Sequence, residues 1–368
     1  MAGWLPVATP AVVLAVAVSA CSHGVSSWHH NLPRTDVSVE QQRGVALPAY
    51  DRQGYDDPLI GTYLRQIKDV GAHWVQLNPT WYQETTRAHD IASTSQTPAD
   101  AGVAKVIAMA HAHGLKVLLK PHVDLQDDQD RAGIRPDDPD RWFASYAAFI
   151  THYARLASLT RVDEFAVGTE LAGVSNERDR WLGVVRAVRS DYRGPLVYAA
   201  NYDEYRQVAF WDALDLIGVD AYWPLGDRPS SDPTVLRRAW QPMLHGLAEF
   251  AAQRHRRILF TEAGYTSQHG ATTLPYSWTV SSTADFDEQA AAYQALLETF
   301  SGRGWWAGVF WWAWDLLPSG SDETSYALAY TPRGKAAESV LRAWWSGGPR
   351  RPGNPRRSAH APAEGGED

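Results

Sequence analysis

Residues 164–171 read EFAVGTEL, and five of these eight residues are apolar or glycine, as in a strand buried on both faces. Glu170 nevertheless stands near the end of the run. A carboxylate at that depth needs a partner, a proton or a chemical task. Residues 258–265, ILFTEAGY, repeat the arrangement: an apolar run, then Thr261, then Glu262. Two glutamates presented alike by two separate strands define what the rest of the chain has to explain.

Outward from these two stretches lie six more runs of strand length: GVALPAY (44–50), HWVQLNP (73–79), KVLLKPHVD (116–124), PLVYAAN (195–201), LIGVDAYW (216–223) and GVFWWAWD (308–315). Their near-continuous hydrophobicity suits a parallel sheet covered on both faces. Helical patterns fill the gaps. Pro58 opens a stripe of Ile60, Tyr63, Leu64 and Ile67, and Thr97-Pro98 reads as a cap and first turn. Trp181, Val184, Val185 and Val188 follow helical spacing. Asp285 and Glu288 form a capping-box pattern ahead of Tyr293, Leu296, Leu297 and Phe300. YRQVAFWDALD is the shortest connection, and GKAAESVLRAWW supplies a final helix. Eight strands each followed by a helix predict an α/β fold, a (β/α)8 TIM barrel in a single domain over residues 43–346. An open doubly wound sheet would accommodate the same alternation, but no glycine-rich phosphate turn follows the first strand.

The flanks differ in composition. AVVLAVAVSA (11–20) is too short to span a bilayer but has the length of a signal-peptide core. It leads directly to Cys21, the one cysteine of the chain, so no internal disulfide is possible. VSAC (18–21) resembles the bacterial lipobox, whose cysteine is lipidated, although MAGWLPVATP lacks the usual Lys or Arg. Residues 1–20 are therefore expected to be a lipoprotein-type signal peptide and 21–42 a linker, with His29 and His30 as tether residues. An exported bacterial protein, anchored to the membrane at the cell surface through Cys21, is implied. Residues 347–368 are rich in Pro, Gly and charge and read as a disordered tail. The net charge of −8 argues against a nucleic-acid partner held through phosphates. Trp and Tyr are plentiful, at 17 and 16 residues, which fits either core and surface packing or platforms for flat, weakly polar ligands such as sugars; abundance alone does not decide between them.

In a (β/α)8 barrel, chemistry sits at the C-terminal ends of the strands. Glu170 ends the fourth run and Glu262 the seventh, so both belong at one mouth. Paired carboxylates in an aromatic-rich cavity are the equipment of a glycosidase. WVQLNPTWYQ, VLLKPHVD, FAVGTEL, YAANYDEY, DLIGVDAYWPL, FTEAGY and WWAWD, spread from Gly44 to Trp345, resemble glycoside hydrolase family 113 of clan A. That family consists chiefly of β-1,4-mannan hydrolases.

The resemblance implies a retaining, endo-mannanase-like enzyme acting on a polysaccharide or oligosaccharide, with no cofactor and no metal. It implies Glu170 as acid/base, Glu262 as nucleophile, and Tyr222 as the tyrosine that hydrogen-bonds the nucleophile. Trp312, or else Trp314, would floor the reacting sugar, while Trp81, Tyr82, His122 and Asn201 would grip hydroxyls. Retention requires the carboxyls to stand about 5–5.5 Å apart. Ionised Glu262 should raise the proton affinity of Glu170 until the nucleophile is esterified. Thr169 departs from the Asn that many clan A enzymes carry before the acid/base. Two rival readings are a metal hydrolase built on His122 and Asp124, which share a strand face, and a non-catalytic glycan-binding surface lipoprotein on an inherited barrel.

Overall fold

The computed structural model describes residues 40–49, 51–314 and 323–346. The expected signal peptide, Cys21, most of the linker, Asp315 and the tail at 347–368 lie outside these residues. Strand β1 (Gln42–Pro48) is followed by β2 (Trp74–Asn78), which continues past Pro79 as β3 (Thr80–Gln83). Likewise β4 (Lys116–Leu119) continues past Lys120 and Pro121 as β5 (His122–Leu125). Then come β6 (Glu164–Thr169), β7 (Leu196–Asn201), β8 (Leu216–Asp220), β9 (Ile258–Ala263) and β10 (Trp306–Trp311). Strands β1, β2, β4, β6, β7, β8, β9 and β10 pair in parallel and close a barrel. The short pair β3–β5 prolongs two of its staves beyond the rim.

Helices α1 (Ile60–Asp69), α2 (Asp100–Ala112), α3 (Pro139–Thr160), α4 (Arg178–Asp191), α5 (Pro233–Ala239), α6 (Gln241–Arg254), α7 (Phe286–Phe300), α8 (Glu323–Leu328) and α9 (Ala336–Trp345) complete the described elements. The stripe Ile60, Tyr63, Leu64 and Ile67 is buried on α1, and Trp181, Val184, Val185 and Val188 are buried on α4. Three expectations need correction. After β7 there is no α-helix but a run of turns and a single 3₁₀ turn, Trp211–Ala213, in the shortest connection between barrel strands. Thr97 does not cap α2: its hydroxyl donates to Thr80 O at 2.8 Å, and the helix begins at Asp100. At α7 only half the capping box forms, with Asp285 accepting from Glu288 N at 2.8 Å while the Glu288 carboxylate turns to the preceding loop.

Two cores follow from strand alternation. Trp74, Leu118, Ala166, Val197, Leu259, Ala307 and Phe310 pack together inside the barrel. A larger apolar layer joins the outer faces of the strands to the helices. Two residues beyond Trp74 and Leu118, the inward positions become polar: Gln76 and Lys120 are fully buried. The packed interior thus supports a charged layer beneath the C-terminal mouth.

Candidate active site

Both glutamate strands break their pairing just before the glutamate. In β6, Ala166 pairs with Val197 but Thr169 with Ala199, so β6 carries one extra residue. Gly168 lies in this bulge, where an added Cβ would fall 2.8 Å from Tyr198 and 2.9 Å from the Tyr146 hydroxyl. In β9, Phe260 pairs with Val219 and Glu262 with Asp220, and the same extra residue shows against β10. A bulge re-aims the side chain that follows it. Thr261 and Glu262 accordingly both reach the interior, since Thr261 donates to Asp220 and Glu262 meets Lys120.

Glu170 completes its turn in the left-handed region, at φ 54°. Its N–H donates to Ala199 O at 2.8 Å, and the next N–H, of Leu171, donates to the Tyr198 hydroxyl at 2.9 Å. That hydroxyl in turn donates to Glu204 at 2.6 Å. The unfavourable backbone conformation is therefore held from two sides.

A cavity of ≈ 1110 Å³ opens at this end of the barrel, lined by Glu170, Glu262, Tyr82, His122, Asn201, Tyr222 and Trp312 among others. Two of the residues expected there are elsewhere. Trp81 precedes Tyr82 in β3 and so points to the opposite face, where it packs on Phe149, His152 and Tyr153 of α3. Trp314 is fully buried, with its indole N–H donating to Gln66 of α1 at 3.4 Å. Alternation does not carry from Trp312 to Trp314. Trp312 N bonds to Ala263 of β9, whereas Trp314 N bonds to Ala46 of β1, so the strand's pleat has ended. Thr169 is buried, does not line the cavity, and has no partner for its hydroxyl.

Glu262 accepts a hydrogen bond on each carboxylate oxygen: from the Tyr222 hydroxyl at 2.7 Å and from Lys120 Nζ at 2.5 Å. Lys120 also donates to both oxygens of Asp220, at 3.2 and 3.0 Å, and Thr261 donates to Asp220 at 2.7 Å. Burial opposes the charge on Lys120, but Asp220 and Glu262 outweigh it and hold its pKa above the usual value. Asp220 is pushed up to about 7, by burial first, against the pull of Lys120 and with the repulsion of Glu262.

Glu170 is pushed up to about 8. Burial is the main cause; Asp220 and Glu262 also raise it, while Arg131 and Lys120 oppose. The direction is the one expected from the sequence, but burial and Asp220 weigh more than the charge of Glu262. Arg131 Nη1 donates to Glu170 at 2.8 Å, and its Nε donates to Asp124 at 2.9 Å. His122 lies 3.0 Å from Asn78 Nδ2 and nearly parallel to Trp312, with ring centroids 6.4 Å apart. Burial lowers His122 well below its usual pKa, and Arg131 and Lys120 push the same way, so the ring is neutral. His122 and Asp124, the pair behind the metal-hydrolase reading, are thus engaged with Asn78 and Arg131.

Lys120, Asp220, Asn78 and Arg131 were missed from sequence. Lys120 and Asp220 carry the same signal that exposed the glutamates, a charge at the end of an apolar strand. Arg131 sits on a 3₁₀ turn within a polar stretch and gives none.

The sequence profile of Glycoside Hydrolase Family 113 matches residues 48–335, most of the folded region. No curated protein matches the chain in sequence. Among solved structures, a GH113 β-1,4-mannanase complex aligns with a TM-score of 0.76 at 28% identity, covering 84% of this chain and 99% of that one. The GH113 β-mannanase of Alicyclobacillus acidocaldarius in complex with ManMIm aligns at 0.75 and 27% identity, covering 84% and 98%. A β-glucuronidase of Ruminococcus gnavus shares the fold alone, at 0.56 and 10% identity over 83% of this chain and 50% of that one. The chain belongs to glycoside hydrolase family 113 and is a glycoside hydrolase built on a (β/α)8 barrel.

Proposed function

We propose that this enzyme hydrolyses β-1,4-linked mannan with retention of configuration, using Glu262 as nucleophile and Glu170 as acid/base. One observation carries the assignment of roles. A single cavity holds one glutamate oriented through both of its oxygens and a second that keeps its proton to about pH 8.

In the first step a Glu262 oxygen forms a bond to the anomeric carbon as the glycosidic C–O bond breaks. The Glu170 proton passes to the departing oxygen. In the second step Glu170 takes a proton from water, the water oxygen bonds to the anomeric carbon, and Glu262 leaves as a carboxylate. The mannan preference is supported by the mannanases that share the fold at 27–28% identity over nearly their whole length. A polymer substrate also suits an exported chain, and we place the mature protein outside the cell, anchored at Cys21.

The deciding experiment is trapping with a 2-deoxy-2-fluoro-β-mannosyl fluoride, followed by peptide mass spectrometry. A fluoromannosyl adduct on the Glu262 peptide, absent from inactive Glu262→Ala, is the expected result. An adduct elsewhere, or an inverted anomer as first product by NMR, overturns the mechanism. Turnover of another β-glycan but not mannan overturns the substrate.

A further inference from the structure

The loop between β9 and α7 exposes Leu274, Tyr276 and Trp278 at 41%, 50% and 52%. Scattered exposed apolar side chains need no explanation, but three within five residues do. The backbone beneath them is pinned by buried polar groups. The Tyr330 hydroxyl donates to Pro275 O at 2.5 Å. Buried Gln268 donates to Trp278 O at 2.8 Å and accepts from Val280 N and Ser281 N at 2.7 and 2.8 Å. Buried Glu288 accepts from Gly270 N and from both N and Oγ1 of Thr272, at 2.8, 2.8 and 2.7 Å. Such anchoring holds apolar side chains out in solvent when collapse would otherwise bury them.

Tyr276 and Trp278 line the same cavity as the two glutamates. Tyr276 stands parallel to Tyr202, at 6.3 Å and 11°. Trp278 meets Tyr330 edge-on at 4.8 Å, and Tyr330 meets Tyr222 at 6.5 Å. Aromatic contacts therefore run from the hydroxyl that holds Glu262 out to the rim.

We propose that Tyr276 and Trp278, backed by Tyr202, form a preorganised platform that binds a pyranose unit of the glycan chain away from the bond being cleaved. The occupant follows from continuity: a chain whose scissile bond lies between the glutamates must leave the cavity across its rim. The apolar C–H face of a pyranose matches an exposed ring face. A loop already held rigid loses little freedom when it binds. The inference rests on the reading of this cavity as a polysaccharide-cleaving site.

The test compares parent, Trp278→Ala, Tyr276→Ala and the double variant on β-1,4-manno-oligosaccharides from dimer to hexamer and on an aryl β-mannoside. Leu159→Ala at the end of α3, 82% exposed, ahead of the N-terminal end of β6 and outside the cavity lining, is the control. Parent and control should gain efficiency with chain length. Each platform variant should lose roughly tenfold in the hexamer-to-aryl ratio of kcat/KM, mostly through KM. A ratio kept within twofold in the double variant overturns the platform. Affinity electrophoresis through gels containing mannan, glucan or xylan separates this from failure of the substrate assignment. Retardation of the parent by any of these glycans, lost in the double variant, supports the platform even if mannan is not cleaved. Equal retardation of both, or of neither, overturns it.

Discussion

Replacing Arg131 with methionine keeps most of the side chain's length and removes the cation beside Glu170. In the native protein Nη1 stands 2.8 Å from Glu170 Oε2, with both side chains less than one-fifth exposed. The charge centres are then about 4 Å apart, which at an effective dielectric of 20 is an attraction of about 4 kcal/mol, or about three pKa units. Water entering the vacated space recovers part of this, so the expected rise is about one to two units.

Glu170 already sits at about 8, and the groups that face it do not offset the loss. Asp220 and Glu262 repel its charge, Asp124 loses the same guanidinium, and Lys120 alone still attracts. In the proposed mechanism Glu170 must be protonated to donate, so kcat/KM should fall as pH rises through its pKa. The variant's alkaline limb should therefore move upward from about 8 by at least about one unit. The assay is kcat/KM from pH 5 to 10 on an oligosaccharide, whose leaving oxygen needs the proton. A dinitrophenyl glycoside, which leaves without it, should show no such limb. An oligosaccharide limb that stays put or moves to lower pH refutes the reasoning.

Tyr222→Phe deletes a bond to a charged carboxylate, worth about 1.5–3 kcal/mol, so kcat/KM should fall by about one to two orders of magnitude with the circular dichroism spectrum unchanged. Asp220→Asn leaves Lys120 paired with Glu262 alone. Esterifying Glu262 in the proposed first step would then strand a buried cation, and the pre-steady-state burst of glycosyl-enzyme formation should slow by roughly tenfold or more. Glu170→Gln should abolish turnover of oligosaccharides yet raise the Tm. The folded-state pKa of Glu170 is raised, so its contribution is fully present below the unfolded pKa and is lost as pH rises toward about 8. The Tm advantage of the glutamine variant should therefore widen between pH 5 and pH 8, and a constant difference would contradict the shift.

How much of this was legible depended on whether the signal was periodic. The eight barrel strands, the stripes of α1 and α4 and both glutamates follow from apolar runs and the charges that interrupt them. The bulges in β6 and β9 leave no mark in such runs, because an extra residue in a continuously apolar strand does not disturb the pattern. Trp81 and Trp314 were misplaced for related reasons. In β3 adjacent residues face opposite ways, so Trp81 and Tyr82 do not both reach the cavity. At the end of β10 the alternation had already stopped before Trp314. Lys120 and Asp220 were legible in principle, as interrupting charges like Glu170. Arg131 was not, since its place beside Glu170 is a long-range contact made by a turn.

The charges the sequence reading passed over explain how the proposed cycle can run in a buried site. Each of the two glutamates shares its cation with a second carboxyl: Glu262 shares Lys120 with Asp220, and Glu170 shares Arg131 with Asp124. In the proposed cycle Glu262 loses its charge on esterification, and Glu170 is neutral whenever it carries the proton. A cation held by that glutamate alone would then be buried without a partner, at a cost of about 3–5 kcal/mol. The second carboxyl prevents this. Asp220 does more than wait, because the repulsion of Glu262 is part of what holds its pKa near 7. Once Glu262 is esterified that repulsion disappears, Asp220 ionises more fully, and Lys120 keeps a counter-charge through the intermediate. The same exchange runs backward when water releases the sugar, so the charge beneath the reacting carbon stays nearly constant while the nucleophile changes state.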